Sequence, residues 1–415
     1  MVGEANGGSG MKGISGIRAA LLTAGGVFSF LLVAPAADWP RWRGPDGNGI
    51  SAEKDWKPTA LAAAKVKWKS TVGQGYAAVS VSGKSLYTIG HQGGNDSVVC
   101  LDAETGKELW RYSYTCGPGS NGYQGPRATP VVDGDSVYTL SREGHAFCLE
   151  GATGKVKWQA HLARDHKAAP PTWGIAGSPL ILGNSVIYNA SSHGIALDKS
   201  TGQKIWESPP GVGGYAAPVS FTMKGKEVVA IFGMQELFIV DAMTGEKLHA
   251  HPWKTQYDVN ASDPVAFDGK LFISSGYGHG AALLDFSAKQ PKVIWETKEM
   301  RCHFASAIYL DGHLYGIDDQ VGTGKLKCLD AKTGTTKWTS KKNGYENLMM
   351  AAGRILAIEK TGDLAVVEAV ATGFKEVGKG AVLGKGPENW PSPVLANGLV
   401  YCRNSGGELV CVDLR

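Results

Sequence analysis

The stretch SVVCLDAETGKELW, residues 97–110, decides the fold. It reads as an apolar strand ending at Asp102, a Thr105-Gly106 turn, and a second strand closing on Trp110. An acidic side chain in that position can accept backbone N–H groups of the turn, and glycine supplies a left-handed residue without strain. The tryptophan is large enough to wedge between neighbouring sheets. The phrase recurs: Glu150, Asp198 and Asp330 stand eight residues before Trp158, Trp206 and Trp338, as Asp102 does before Trp110. Three copies are worn. Asp241 leads to His249, Asp285 reaches Trp295 after a two-residue insertion, and Glu368 has no tryptophan partner.

Each copy follows a hairpin of two apolar runs around a tight turn, as in VSGKSLY, VDGDSVY, LDGHLY and ANGLVY. The eight turn glycines are Gly83, Gly134, Gly183, Gly225, Gly269, Gly312, Gly353 and Gly398, spaced 41 to 51 residues apart. Asp-Gly and Asn-Gly between alternating apolar residues are strong hairpin signals, and a fixed period of this length marks a repeat architecture. Eight inner hairpins face only seven complete outer ones, because GGELVCVDLR (406–415) stops just past its aspartate. The missing outer strand is KVKWKS (65–70), which carries Trp68 ahead of any hairpin. Pairing the two segments closes a ring and removes free sheet edges. The expected fold is all-β: an eight-bladed β-propeller of four-stranded antiparallel blades over residues 65–415, its last blade closed by an N-terminal strand. An open solenoid would need capping repeats, and neither end of the repeat array resembles one.

The composition is globular: 415 residues, 43% hydrophobic and 19% charged, with 57 glycines and 12 tryptophans. A net charge of only +4, from singly scattered lysines and arginines, excludes the electrostatic footprint of a nucleic-acid binder. Residues 1–37 read as a signal peptide: the basic MKGISGIR, the apolar AALLTAGGVFSFLLV and the small-residue APAA, with cleavage near Ala36 or Ala37. The ten residues before Met11 fit no targeting pattern, so a start at Met11 is expected. The mature chain then carries no integral membrane segment, and it is exported, periplasmic or secreted. Residues 38–64, beginning DWPRWRGPDGNGIS, are too aromatic for a free linker; they are expected to pack across one face or plug one end of the channel.

LDAETGKELW resembles the repeat of the pyrroloquinoline-quinone (PQQ) propeller superfamily, and the resemblance covers almost all of residues 65–415. The order DWPRWRGPDGNGIS, GPRATPVVDGDSVY, SSGYGHGAALL, MRCHF and YGIDD is similar to a subgroup of exported bacterial PQQ-like propellers. Two relatives imply different functions. Quinoprotein dehydrogenases hold PQQ and calcium, with a disulfide between adjacent cysteines against the cofactor; this sequence has no Cys-Cys pair and lacks their long insertions. The propeller lipoprotein of the barrel-assembly machinery binds a partner protein and catalyses nothing. This chain matches its blade count but has no cysteine at the expected cleavage site for lipid attachment.

Propellers bind at the channel mouth, through loops leading into the innermost strands. Aligning those loops on the turn glycines places Tyr76, Arg127, Ala176, Tyr215, Ala261, Phe304, Glu346 and Trp390 at equivalent positions. One residue earlier stand, among others, Asn260, His303 and Asn389. Aromatic walls with a few convergent polar groups make a ligand or partner site, so the candidate residues are Tyr76, Arg127, Tyr215, Asn260, His303, Glu346 and Trp390. The alternative is that they merely fill and hydrate the channel. Tyr277, His279, His303, Asp318 and Asp319 match no established metal-ligand spacing and read as turn residues; no metal site is expected. There is no G-x-S-x-G elbow and no H-E-x-x-H, so no catalytic residues are expected.

Of seven cysteines, Cys100, Cys148, Cys328 and Cys411 share one slot on different blades and are expected to be buried free thiols. Cys402 and Cys411 are a disulfide candidate, directly opposite one another if Gly406-Gly407 form a two-residue turn. Cys116 and Cys302 lie in loops leading toward the mouth. Together these readings describe a non-catalytic binding or scaffolding protein of the cell envelope, with a protein or envelope polymer as partner and no cofactor. The alternative is a PQQ- and calcium-dependent alcohol or sugar dehydrogenase with a reduced site.

Overall fold

The computed structural model describes residues 37–415, apart from 64, 120, 121, 289 and 385. The signal peptide and the start at Met11 fall outside the described residues. Eight sheets with the four-stranded blade pattern are found among the described residues. Blade 1 shows the plan: Ser80–Ser82, Ser85–Gln92, Asn95–Asp102 and Glu108–Thr115 pair in sequence order, antiparallel throughout. The seam lies in blade 8. Val66–Thr71 pairs antiparallel with Glu408–Asp413, bringing Trp68 opposite Cys411. The ring is therefore closed by the N-terminal strand.

The turns explain the repeated phrase. Asp102 Oδ1 accepts the N–H of Glu104 (3.1 Å) and of Thr105 (2.8 Å), and Gly106 sits at φ +71°. The ring of Trp68, from the preceding blade, lies flat on that glycine. A Cβ at Gly106 would be 2.6 Å from the ring, and Gly154, Gly202, Gly245 and Gly334 meet Trp110, Trp158, Trp206 and Trp295 in the same way. Each glycine is thus required twice, for its backbone angle and as the seat of a tryptophan.

A tyrosine reinforces this lock. Trp68 Nε1 and Tyr401 Oη both donate to the Ala103 carbonyl at 3.1 Å. Trp110 and Tyr87 share the Gly151 carbonyl, and Trp158 and Tyr138 share that of Lys199. One carbonyl oxygen has two lone pairs and can accept both. Between each tyrosine and tryptophan stands the small buried Cys100, Cys148 or Cys411, directly opposite both. The cysteine slot is a packing slot, and all seven cysteines are buried free thiols.

The expected Cys402–Cys411 pairing is corrected by the register. Cys402 lies opposite Val410, and Cys411 opposite Tyr401. The connection takes more residues than Gly406-Gly407 alone, because Asn404 binds Glu408 through both backbone and side chain. Alternation then sends the two thiols to opposite faces of the sheet.

The worn copy in blade 7 has a structural cause. Gly378 occupies the tryptophan position there, opposite Val366. A tryptophan would need the turn of blade 8 as its seat, and in blade 8 the third and fourth strands are not joined by a turn. The 3₁₀ helix Pro58–Ala63 covers the place instead: a Cβ at Gly378 would be 2.7 Å from the Pro58 carbonyl oxygen, and Leu61 is buried in the same cluster as Trp56 and Trp68.

Residues 38–53 run across the end of the channel where the innermost strands finish. Trp39 bridges Val81 of blade 1, and the Pro40 carbonyl accepts Val132 N of blade 2. Arg43 donates to the Ala307 carbonyl beside blade 6, Ile50–Ser51 adds a short parallel strand to blade 7, and Glu53 accepts Gly398 N of blade 8.

The tryptophan seat gives a direct test. Gly154→Ala, with its Cβ 2.5 Å from the Trp110 ring, should destabilise by about 1–3 kcal/mol more than Gly134→Ala. Gly134 also has positive φ, at +58°, but open space around it, so it carries the backbone penalty alone. Urea midpoints of the two variants measure the difference; equal midpoints would mean that the seat contributes nothing.

Candidate functional site at the channel mouth

The mouth opens into a cavity of about 590 Å³. All eight residues aligned at the first position, Tyr76 through Trp390, line it. Of the named candidates, Tyr76, Arg127, Tyr215, His303, Glu346 and Trp390 are brought together there, and Asn260 is not. Asn260 is fully buried behind the wall. Its amide donates to the carbonyls of Gly233, Met234 and Trp253, and its oxygen accepts Ser275 Oγ. Successive residues of an extended segment point to opposite sides, so the earlier position faces the blades. Asn389 repeats the role, donating to the carbonyls of Glu359 and Lys360. His303 is the exception. Its ring occupies space left by Gly276, where a Cβ would lie 2.8 Å from Nδ1.

Trp390 is the centre of an aromatic cluster. Its ring lies 4.4 Å from Phe304, 5.2 Å from Tyr76 and 5.5 Å from Tyr123, the last stacked at 16°. Trp173 meets Tyr123 edge-on at 5.6 Å, and Tyr277 meets His303 at 4.6 Å. Tyr123 and Trp173 lie in the long connections between blades 1 and 2 and between blades 2 and 3, where no repeat register exists to align them.

Polar groups are few and poorly paired. Arg127 donates to the carbonyls of Gly125 (3.0 Å) and Tyr123 (2.9 Å), and its guanidinium carbon sits 5.3 Å from the Tyr76 ring centre. No ion pair forms at Arg127 among the described residues, and burial lowers its pKa to about 10, which leaves it charged at neutral pH. Glu346 is 6% exposed, with Oε2 buried and unpartnered. Burial, only partly offset by Lys360, raises its pKa to about 7. Burial likewise drives His303 down to about 4, so it is neutral, with Nδ1 lacking a partner. Gln320 fixes the rim by accepting the N–H groups of Phe304 and Ala305 and donating to the Glu346 carbonyl. At the floor, Trp42 Nε1 donates to the buried Asp263 at 2.6 Å.

The remaining sequence candidates do not join. Asp318 is held by Arg301 and Lys327, Asp319 closes its own turn, and His279 packs edge-on against Trp253 at 4.5 Å.

Fold and mouth define an eight-bladed propeller of PQQ-like repeats. The chain belongs to the family described as outer membrane protein assembly factor BamB, whose profile matches residues 94–340. It is 21% identical over 336 residues to the outer membrane protein assembly factor BamB of Burkholderia pseudomallei, covering 70% of this chain and 84% of that protein. It is 23% identical over 333 residues to the quinohemoprotein alcohol dehydrogenase ADH IIB of Pseudomonas putida, covering 71% of this chain but only 44% of the enzyme. Among solved structures, BamB from Moraxella catarrhalis superimposes with a TM-score of 0.62 at 16% identity, covering 85% of this chain and 98% of the other. Among the described residues no helix is long and apolar enough to cross a membrane.

Proposed function

We propose that this chain is an exported, non-catalytic propeller of the cell envelope that holds a partner protein at its channel mouth. The observation that carries the reading is the aromatic cavity around Trp390, with the half-buried Arg127, which has no ion-pair partner among the described residues, at its wall. An apolar or aromatic side chain of a partner gains by stacking on Trp390, and a carbonyl or carboxylate oxygen gains a charge-assisted bond from Arg127. Interfaces of this make-up concentrate their energy in a few tryptophan, tyrosine and arginine residues. Membership of the BamB family supports the same reading. An envelope polymer presents fewer apolar groups to such a wall, and capturing one would replace the protein as partner.

The dehydrogenase reading has the matched quinoprotein on its side, but the donors at the mouth fit its cofactor poorly. Calcium takes six to eight oxygens. Among the described residues no three carboxylate, imidazole or thiol groups of the cavity converge on one point. Glu388 is bound by Ser405, Asp263 by Trp42, and Glu346 is held near neutrality by burial. The chain also spans under half of that enzyme's length, 44%.

A pull-down from native envelope, with residues 38–415 as bait, tests the proposal. Trp390→Ala and Arg127→Ala should each weaken saturable capture by about thirtyfold, corresponding to the 2 kcal/mol or so expected of such anchors. Normal capture by both variants overturns the mouth assignment. Stoichiometric uptake of added PQQ with calcium, with dye reduction by alcohols or sugars, overturns the non-catalytic reading.

A further inference from the structure

On the mouth side of blades 1 and 2, away from the cavity, three unlike ligand groups meet. The Cys116 thiol, a Glu143 carboxylate oxygen and a His145 ring nitrogen all lie within 4.8 Å of one another. Each is placed by its own backbone. Cys116 follows the outer strand of blade 1 and its N–H binds the Gly94 carbonyl. Glu143 and His145 sit in the Ser141–His145 turn of blade 2, where Ser141 Oγ accepts the N–H groups of both. Ser141 Oγ also contacts His145 Nδ1 at 3.0 Å. Gly117 N donates to Glu143 Oε1 at 3.1 Å, and a Cβ at Gly117 would stand 2.6 Å from that oxygen. Only glycine lets the carboxylate come so close.

A second observation points into the same place. Asp96 is fully buried; its Oδ1 is taken by His91 Nδ1 at 2.8 Å, while its Oδ2 has no partner, and its carboxylate neighbours the Cys116 thiol. The Tyr114 hydroxyl, beside Asp96 and Cys116, is buried and unpartnered as well. Buried polar atoms are rarely left bare, and each such case requires an explanation such as a water or an ion. A thiol, an imidazole and a carboxylate around one point are a ligand set of zinc-class ions, at roughly 2.0–2.3 Å from the metal in general. Drawing these groups in requires only small side-chain movements, and Glu143 and His145 are only partly buried.

We propose that Cys116, Glu143 and His145, with Asp96 beside the thiol, form a site for one divalent cation of the zinc class. The ion pins the start of the connection that carries Tyr123 and Arg127 to the cavity, tying blade 1 to blade 2 at the mouth face. The site stands apart from the cavity, and its failure would leave the function proposed above untouched.

The test uses untagged full chain, reduced and stripped with chelator. Cobalt(II) serves as a probe because a thiolate ligand gives an intense charge-transfer band that oxygen and nitrogen ligands do not. One equivalent should produce that band, and zinc should displace it. Cys116→Ser should abolish it, whereas Cys302→Ser, which alters a different buried thiol, should keep it. Glu143→Gln and His145→Gln should weaken zinc binding at least as much as the roughly 10–100-fold that loss of an outer partner costs. Independently of how Cys116→Ser folds, alkylation of Cys116 in the unaltered chain, read by mass mapping, gives a second answer: zinc should slow it at least tenfold. Absence of the band, its persistence in Cys116→Ser, or zinc-independent alkylation overturns the proposal and leaves the space to water.

Discussion

Truncation to Val72 abolishes cooperative unfolding, while truncation to Lys65 weakens the fold but keeps it cooperative: this is the expected outcome of cutting the chain on either side of the closing strand. The shorter cut removes residues 37–64 and with them the segment across the channel end. The longer cut also takes Val66–Thr71, which supplies the whole outer strand of blade 8. Glu408–Asp413 would then be a bare sheet edge, a template for aggregation. Trp68, 8% exposed, would leave its seat on Gly106 and its bond to Ala103. Three ion pairs of the same strand, Lys67 to Glu104 and Asp413 and Lys69 to Glu408, would also go, but they are largely solvent-exposed and contribute little. The tryptophan dominates. Trp68→Ala alone should cost about 3–5 kcal/mol, the usual range for emptying a buried tryptophan site. A peptide of residues 65–72 added to the longer truncation should restore a cooperative transition. If that truncation melts like the parent without the peptide, the closed ring is not what stabilises this protein.

The closure was legible because it is a counting argument. Eight turn glycines against seven complete outer hairpins leave one strand unaccounted for, and KVKWKS, which carries Trp68 directly ahead of the first hairpin, supplies it. The mouth was legible for a related reason: a position counted from a fixed turn has the same orientation in every blade. Tyr76 and Glu346 therefore face one cavity although 270 residues apart. The same logic placed Asn260 wrongly. Stepping back one residue in an extended segment reverses the side chain, and only the gap at Gly276 lets His303 reach through. Tyr123 and Trp173 were beyond counting, since their connections follow no repeat. The Cys402 register failed on a detail that a turn's length cannot display: Asn404 binds Glu408 and lengthens the connection. The cluster at Cys116 is assembled from residues 27 and 29 positions apart on neighbouring blades, a spacing that belongs to no linear motif.

The second large effect is expected at Arg403, which fastens the seam from inside. Its guanidinium, 1% exposed, reaches from blade 8 into blade 1 and donates to the carbonyls of Gly73, Ala77 and Ile89 and to Thr88 Oγ1. No carboxylate is among these partners; three carbonyl dipoles and one hydroxyl solvate the charge, and burial lowers its pKa to about 9. A buried cation replaced by a well-packed apolar residue is often tolerated, because the desolvation penalty disappears with the charge. Here the acceptors decide otherwise. Arg403→Met fills much of the volume but strips a donor from four buried oxygens, and each unsatisfied group costs about 1–3 kcal/mol. The variant should therefore lose at least 3 kcal/mol or so, and Arg403→Lys somewhat less, since one ammonium with three donors cannot serve four acceptors held in a fork. Urea unfolding followed by tryptophan fluorescence gives both values. A Met variant as stable as the parent would mean that the penalty for burying the charge equals everything its hydrogen bonds return. Arg403 acts on the inner strands and Trp68 on the outer edge of the same blade, so the double variant Trp68→Ala, Arg403→Met discriminates further. Independent clasps give additive losses. A double variant no worse than either single one would mean that the seam opens as one unit once either clasp fails.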